Sequence, residues 1–249
     1  MRLGHESTGV GPPVTFLHGF TQTRSSWHPV ISRLGDFACT VIDAPGHGES
    51  PDGARTLWQC ADDMAGVMPT GILVGYSMGA RMALHTALAH PSRVTGLVLV
   101  SGTPGIEDLG ERAARRASDD ALAVRIEEIG VPAFIDEWLS NPMFAGLTAE
   151  SAMREQRLAN TARGLADSLR FAGTGTQENL WPRLRGLSMP VLIVTGERDP
   201  KFSAIGARMH ASIGESELHV VASAGHTVHL EATDLFCQVL GDWLVRRRP

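Results

Sequence analysis

Residues Leu73 to Leu84 read LVGYSMGARMAL, an apolar strand that passes without a spacer into a helix. The preceding Gly71–Val74, GILV, is a short apolar run of the kind buried inside a parallel sheet, and ARMALHTALAH is rich in strong helix formers. Ser77 stands at the joint between Gly75 and Gly79. A hydroxyl at so tight a turn fits G-x-S-x-G, in which small neighbours let strand and helix approach and the serine projects above the carboxyl edge of a sheet. A helix N-cap serine is the plainer alternative. Few architectures other than an open α/β sheet can hold such a joint.

The rest of the chain agrees with that frame. Val14–Leu17, Cys39–Ile42, Ile72–Val74, Leu97–Val100, Val191–Val194 and Leu218–Val221 are apolar runs of strand length. Helical spacing recurs between them, as at Trp27, Val30, Ile31 and Leu34, and at Leu57, Ala61, Met64 and Met68. Strand and helix in alternation predict a mostly parallel central sheet flanked by helices. The alternation stops between about Gly105 and Pro190, where charged helical composition takes over. The chain therefore divides into a sheet core formed by residues 1–104 and 186–249, with residues 105–185 as a helical lid inserted before the last two strands.

Composition narrows the function classes. The 249 residues carry a net charge of −5, which offers nucleic acid or an anionic membrane surface no general attraction. Three scattered cysteines suit neither a disulfide framework nor a zinc site. The N-terminus lacks an apolar signal segment, and no run reaches a membrane span, so a reduced, cytoplasmic protein without metal or cofactor is expected. Lys201 is the only lysine.

An unaided serine hydroxyl is a weak nucleophile or base; it needs a histidine that a carboxylate orients. Asp199 follows the strand VLIV and His226 lies just beyond LHVV, so both fall at the sheet edge that carries Ser77. Asp43 also follows a strand, but it precedes the serine and more simply fixes the DAPGHGES turn. His229 is the near rival to His226, while His18, His47, His85 and His90 read as structural or surface residues. Two backbone amides would complete an oxyanion hole, one from Met78 and the other most plausibly from Phe20 in FLHGFTQ, where Gly19 gives the backbone room.

In chain order, FLHGF, DAPGHGES, GYSMGA, GERD and AGH resemble the α/β-hydrolase superfamily over nearly the whole length. The segments TPGIED, ERAARRASDD, DEWLSNPMFAGL and REQRLAN extend the likeness through the lid, where the sequence is similar to the family of 2-succinyl-6-hydroxy-2,4-cyclohexadiene-1-carboxylate synthases of menaquinone biosynthesis. That resemblance implies a lyase that eliminates pyruvate from a cyclohexene polycarboxylate, with the triad serine as a base and no acyl-enzyme. It carries the family's carboxylate-binding arginines onto Arg81, Arg115 and Arg157, and its pocket aromatics onto Tyr76 and Trp138. Two departures are Ala80, where glycine is usual, and the TPG turn after the fourth core strand.

Arg81 also has a reading of its own. It lies four residues after Ser77 on one helical face, and a guanidinium there is costly unless an anion meets it. Its planar fork suits a carboxylate. The alternative is a structural pair with a lid acid such as Glu155, and Arg112, Arg116 and Arg154 compete with Arg115 and Arg157 for the same role. The rival functions are a carboxylesterase or carbon–carbon bond hydrolase with Ser77 as nucleophile, and a non-catalytic binding protein. The anticipated partner is a small anionic polycarboxylate; the sequence leaves the oligomeric state open.

Overall fold

The computed structural model describes residues 1–247; positions 248 and 249 of the carboxyl-terminal core segment lie outside them. The strands are β1 (His5–Thr8), β2 (Pro13–Leu17), β3 (Ala38–Ile42), β4 (Gly71–Tyr76), β5 (Val94–Val100), β6 (Val191–Gly196) and β7 (Ser216–Val221). They form one sheet in the order β1–β3–β2–β4–β5–β6–β7, in which only the β1–β3 pair is antiparallel. From β2 the chain moves outward to β3, and it then returns to place β4 on the other side of β2. Open α/β sheets bind ligands above such a reversal. Both β2 and β4 end there, in FLHGF and in GYSMG.

Helices α1 (His28–Ile31), α2 (Leu57–Val67), α3 (Met78–Ala89), α4 (Leu109–Leu139), α5 (Arg154–Arg157), α6 (Ala162–Ala172), α7 (Pro200–Ser212), α8 (Val228–Glu231) and α9 (Thr233–Arg246) complete the chain. The period of two along β4 explains how the sheet is covered. Leu73 faces the cluster of Met64, Met82, Leu84 and Met209 from α2, α3 and α7. Its neighbours Ile72 and Val74 face Phe236, Leu240 and Trp243 of α9, with Trp27 at the far end. Covering on both faces is why these strands read as unbroken apolar runs instead of alternating ones. Among the described residues, no helix is long and apolar enough to cross a membrane.

Helices α4 to α6 lie between β5 and β6. The segment Leu109–Leu139 is two helices that meet at Gly130, whose φ 74° and ψ 168° are not helical. Glycine ends the first half in a left-handed conformation, and Pro132, with its fixed φ, suits the first turn of the second. The helical reading of TAESAMREQRLAN is too long. Residues 149–153 are turns, α5 has four residues, and α6 starts only after Thr161, whose hydroxyl accepts the Gly164 amide at 2.8 Å. A small separate core of Ala123, Ile126, Phe134, Ile135, Leu165 and Leu169 holds α4 and α6 together. In the sheet, Ala80 finds its space because residue 102 is glycine; a Cβ at 102 would stand 2.6 Å from that of Ala80.

Candidate active site

Ser77 is held at φ 50°, ψ −105°, a region that costs a non-glycine residue roughly 1–3 kcal/mol. Its amide donates to the Val100 carbonyl at 2.8 Å, which fixes the turn onto β5. The flanking glycines are a steric requirement. A Cβ on Gly79 would lie 2.2 Å from the Leu17 carbonyl oxygen, and one on Gly75 would lie 2.3 Å from that of Gly79.

The structure brings the three expected side chains together. His226 Nε2 is 3.1 Å from Ser77 Oγ, and His226 Nδ1 is 2.7 Å from Asp199 Oδ2. A carboxylate only accepts, so Nδ1 carries the proton and Nε2 is left to accept from the serine hydroxyl. The second oxygen of Asp199 accepts the Phe202 amide at 3.2 Å and caps α7. Asp43 takes the role anticipated for it, since its carboxylate accepts from the Arg24 and Glu49 amides and pairs with the Arg24 guanidinium. The rival His229 is fully buried in α8, stacked on Trp27 at 4.4 Å between ring centroids, and burial drives its pKa down to about 3. Burial does the same to His47, lowered to about 3, and to His85, lowered to about 4; it also lowers that of His18. His90 pairs at the surface with Asp62.

A cavity of about 310 Å³ opens over Ser77 and His226, with Asp119 and Leu122 of α4 and Ser168 and Leu169 of α6 also in its wall. Arg81 lies 7% exposed on its wall, and its Nη1 donates to the Ala172 carbonyl at 2.6 Å. Arg157 is 1% exposed; Nε donates to the Ala152 carbonyl at 2.8 Å, Nη1 to Thr21 Oγ1, and Nη2 has no partner among the described residues. Burial lowers the pKa of both guanidinium groups to about 10, with Arg115 adding to the effect at Arg81. Among the described residues neither makes an ion pair: Glu155, the suggested partner of Arg81, is 3.0 Å from Arg154. Arg115 stands at the rim with its Nε 2.8 Å from Asp119 Oδ1. Of its competitors, Arg112 and Arg116 do not line the cavity, and Arg154 is engaged at the surface by Asp136.

Tyr76 and Trp138 both line this space. The tyrosine hydroxyl shares a hydrogen bond of 2.9 Å with Thr227. Trp138 joins Phe20 and Phe144 in an aromatic wall, and its buried Nε1 has no partner among the described residues. Lys201 is exposed at the cavity's edge, with Nζ 5.9 Å from the centre of the Phe202 ring.

Phe20 and Met78 take the positions expected of them, Phe20 after β2 and Met78 at the first position of α3. Among the described residues, no protein group accepts from either amide. Gly19 to Gln22 form a turn closed by Gln22 N–H to the Gly19 carbonyl at 3.1 Å, with Thr21 at φ 66°. A β-branched residue in the left-handed region is a true outlier. Lid residues hold it there: Asn160 Nδ2 donates to the Thr21 carbonyl at 2.7 Å, and Arg157 grips the hydroxyl.

Sequence reasoning missed Asn160 and Glu231. The carboxylate of Glu231 accepts from Gly225 N–H at 2.7 Å and Thr227 N–H at 2.9 Å, clamping both sides of His226. Its place five residues after the histidine is the only signal the sequence holds. For Asn160, which also accepts the Gly48 amide at 3.0 Å, the chain offers none, because the Thr21 and Gly48 groups it ties to the segment lie more than a hundred residues away.

Fold and site together define a class, and the chain belongs to the alpha/beta hydrolase family, whose pattern matches residues 16–239. A Bacillus subtilis (strain 168) protein provisionally named 2-succinyl-6-hydroxy-2,4-cyclohexadiene-1-carboxylate synthase is 38% identical over 97% of this chain and 93% of its own length. The synthase of that name from Serratia proteamaculans (strain 568) is 32% identical over 94% and 93%. The solved structure of MenH from S. aureus superposes with a TM-score of 0.93 at 30% identity, covering 98% of this chain and 99% of that one. Within the class, the chain is a member of this synthase family.

Proposed function

We propose that this protein is a 2-succinyl-6-hydroxy-2,4-cyclohexadiene-1-carboxylate synthase, a lyase that releases pyruvate from 2-succinyl-5-enolpyruvyl-6-hydroxy-3-cyclohexene-1-carboxylate. The observation that carries this reading is the pair of buried guanidinium groups, Arg81 and Arg157, which share the cavity of Ser77 without a carboxylate partner among the described residues. A buried, unpaired cation is strongly destabilising. An anionic substrate supplies what the protein withholds, and a neutral ester does not. Arg157 is the better anchor, with Nη2 free; Arg115, already held by Asp119, guides at the rim.

The chemistry follows from the relay. Asp199 fixes His226, His226 Nε2 accepts the proton of Ser77, and the serine oxygen removes the ring proton next to the succinyl carbonyl. The electron pair moves onto that carbonyl as an enolate, facing the amides of Phe20 and Met78. Its return forms the conjugated diene and breaks the ring carbon–oxygen bond. The leaving enolpyruvate takes up a proton and becomes pyruvate. Water is not consumed and no acyl-enzyme forms.

The test supplies the enolpyruvyl precursor and follows pyruvate, with p-nitrophenyl acetate as control. Pyruvate release that depends on Ser77 and Arg81 supports the reading. Ester hydrolysis that survives Arg81→Ala, without pyruvate release, overturns it in favour of a hydrolase. We also treat residues 105–185 as the lid that closes over this substrate.

A further inference from the structure

Gln22 is 3% exposed and borders the cavity on the Phe20 side. Its side-chain orientation is fixed by chemistry. Oε1 lies 3.0 Å from the Gly19 amide, a donor, so the carbonyl end of the side chain must sit there and the NH₂ end must occupy the other position. Among the described residues no protein group accepts from that NH₂. Gln22 Nε2 is not among the fully enclosed unpartnered atoms, so the two N–H groups are open to whatever occupies the cavity that the residue lines. The turn that carries it is also rigid. Gln22 N–H closes onto the Gly19 carbonyl, a Cβ on Gly19 would strike the Tyr76 ring at 2.5 Å, and Thr21 is gripped from the lid.

We propose that the Gln22 Nε2 amide is a substrate-contacting donor, a neutral third arm beside the Phe20 and Met78 amides that binds an anionic oxygen of the substrate. The inference rests on the proposed synthase reading. Gln22 has two functions in one side chain: Oε1 orients the peptide that presents Phe20 N–H, and Nε2 donates to the enolate or carboxylate oxygen that enters the same corner. Being uncharged, it adds a directed hydrogen bond without a further cation competing for the carboxylates already matched to Arg81 and Arg157.

Gln22→Glu separates the two functions, since a carboxylate still accepts from Gly19 N–H but cannot donate and repels an anion. Gln22→Met keeps the length of the side chain and removes both. With the enolpyruvyl precursor and pyruvate release as the readout, Gln22→Glu lowers kcat/KM by about 100-fold or more, the size of a lost oxyanion-type donor. Gln22→Met falls at least tenfold, with melting temperature little changed. Near-parental activity in Gln22→Glu alongside a loss in Gln22→Met would reduce Gln22 to a prop for its turn and overturn the proposal, as would full activity in both. Should Gln22→Glu not fold, Gln22→Lys, which can donate to an anion but cannot accept from Gly19 N–H, takes its place: activity well above that of Gln22→Met supports the proposal, and a loss equal to that of Gln22→Met overturns it. Failure of the unaltered protein to release pyruvate is a separate result, which removes the synthase reading and this inference with it.

Discussion

The sheet and the lid are stabilised in opposite ways. Each face of the sheet is packed with fully enclosed apolar side chains, among them Leu73, Phe236 and Trp243. The lid has one small apolar seam, and its outer surface is tied by exposed pairs such as Arg125–Glu137, Arg170–Glu127 and Arg154–Asp136. Exposed pairs of this kind are weak. The four histidines whose pKa burial lowers all lie outside residues 105–185, a segment without histidine. Yet the two buried cations that line the cavity without an ion pair among the described residues come from both regions, Arg81 from α3 and Arg157 from α5. The rigid part carries the proton relay. Residues 105–185 bring Arg157 and hold Thr21, next to Phe20, through Asn160 and Arg157.

The contrast can be broken in several places. Ser77→Ala removes the base alone and lowers pyruvate turnover by roughly 10³–10⁴-fold, while the melting temperature stays near that of the parent. If turnover survives, the relay is not the engine.

Truncating matched phenylalanines compares the cores directly. Phe236→Ala in the sheet costs about 3–5 kcal/mol in urea unfolding. Phe134→Ala removes the same atoms from the lid; it raises KM and exposes residues 105–185 to limited proteolysis, with a smaller loss of global stability. Equal losses in unfolding would mean that lid and sheet unfold as a single unit.

The arginines sort by depth. Arg81→Ala and Arg157→Ala each reduce kcat/KM about 100-fold or more, whereas Arg154→Ala leaves it within about twofold. Acid separates the regions again. Burial holds His47 and His229 neutral down to about pH 3 and His85 to about pH 4, while the unfolded chain protonates near 6.5. Below pH 6.5 the unfolded state therefore binds more protons, so stability falls as pH drops, by up to about 1.4 kcal/mol per unit for each histidine, and is unaffected by these groups above it. Urea midpoints at pH 7.5 and 5 measure this. At the small end, Arg125→Ala moves the melting temperature by no more than about 2 °C.

How legible all this was depended on the range of the interaction. GILVGYSMGARMAL declared its strand, turn and helix because local sterics and a local apolar pattern fix all three. Asp199 and His226 could be placed because each follows its own strand to the same edge. The lid was legible as helical, but its break at Gly130 was resolved only by the structure, since a lone glycine is equally compatible with a loop. The Thr21 and Gly48 contacts of Asn160 and the Thr227 contact of the Tyr76 hydroxyl join residues more than a hundred positions apart, and no spacing encodes those choices.

Lys201, the chain's single lysine, sits exposed at the mouth of the cavity, and the α-amino group is tied to Asp63. Amine-reactive labelling, ordinarily a scattershot modification, therefore has one side-chain target here. A dye attached at that position would report on what enters the cavity of the native protein, with no cysteine introduced and no residue replaced.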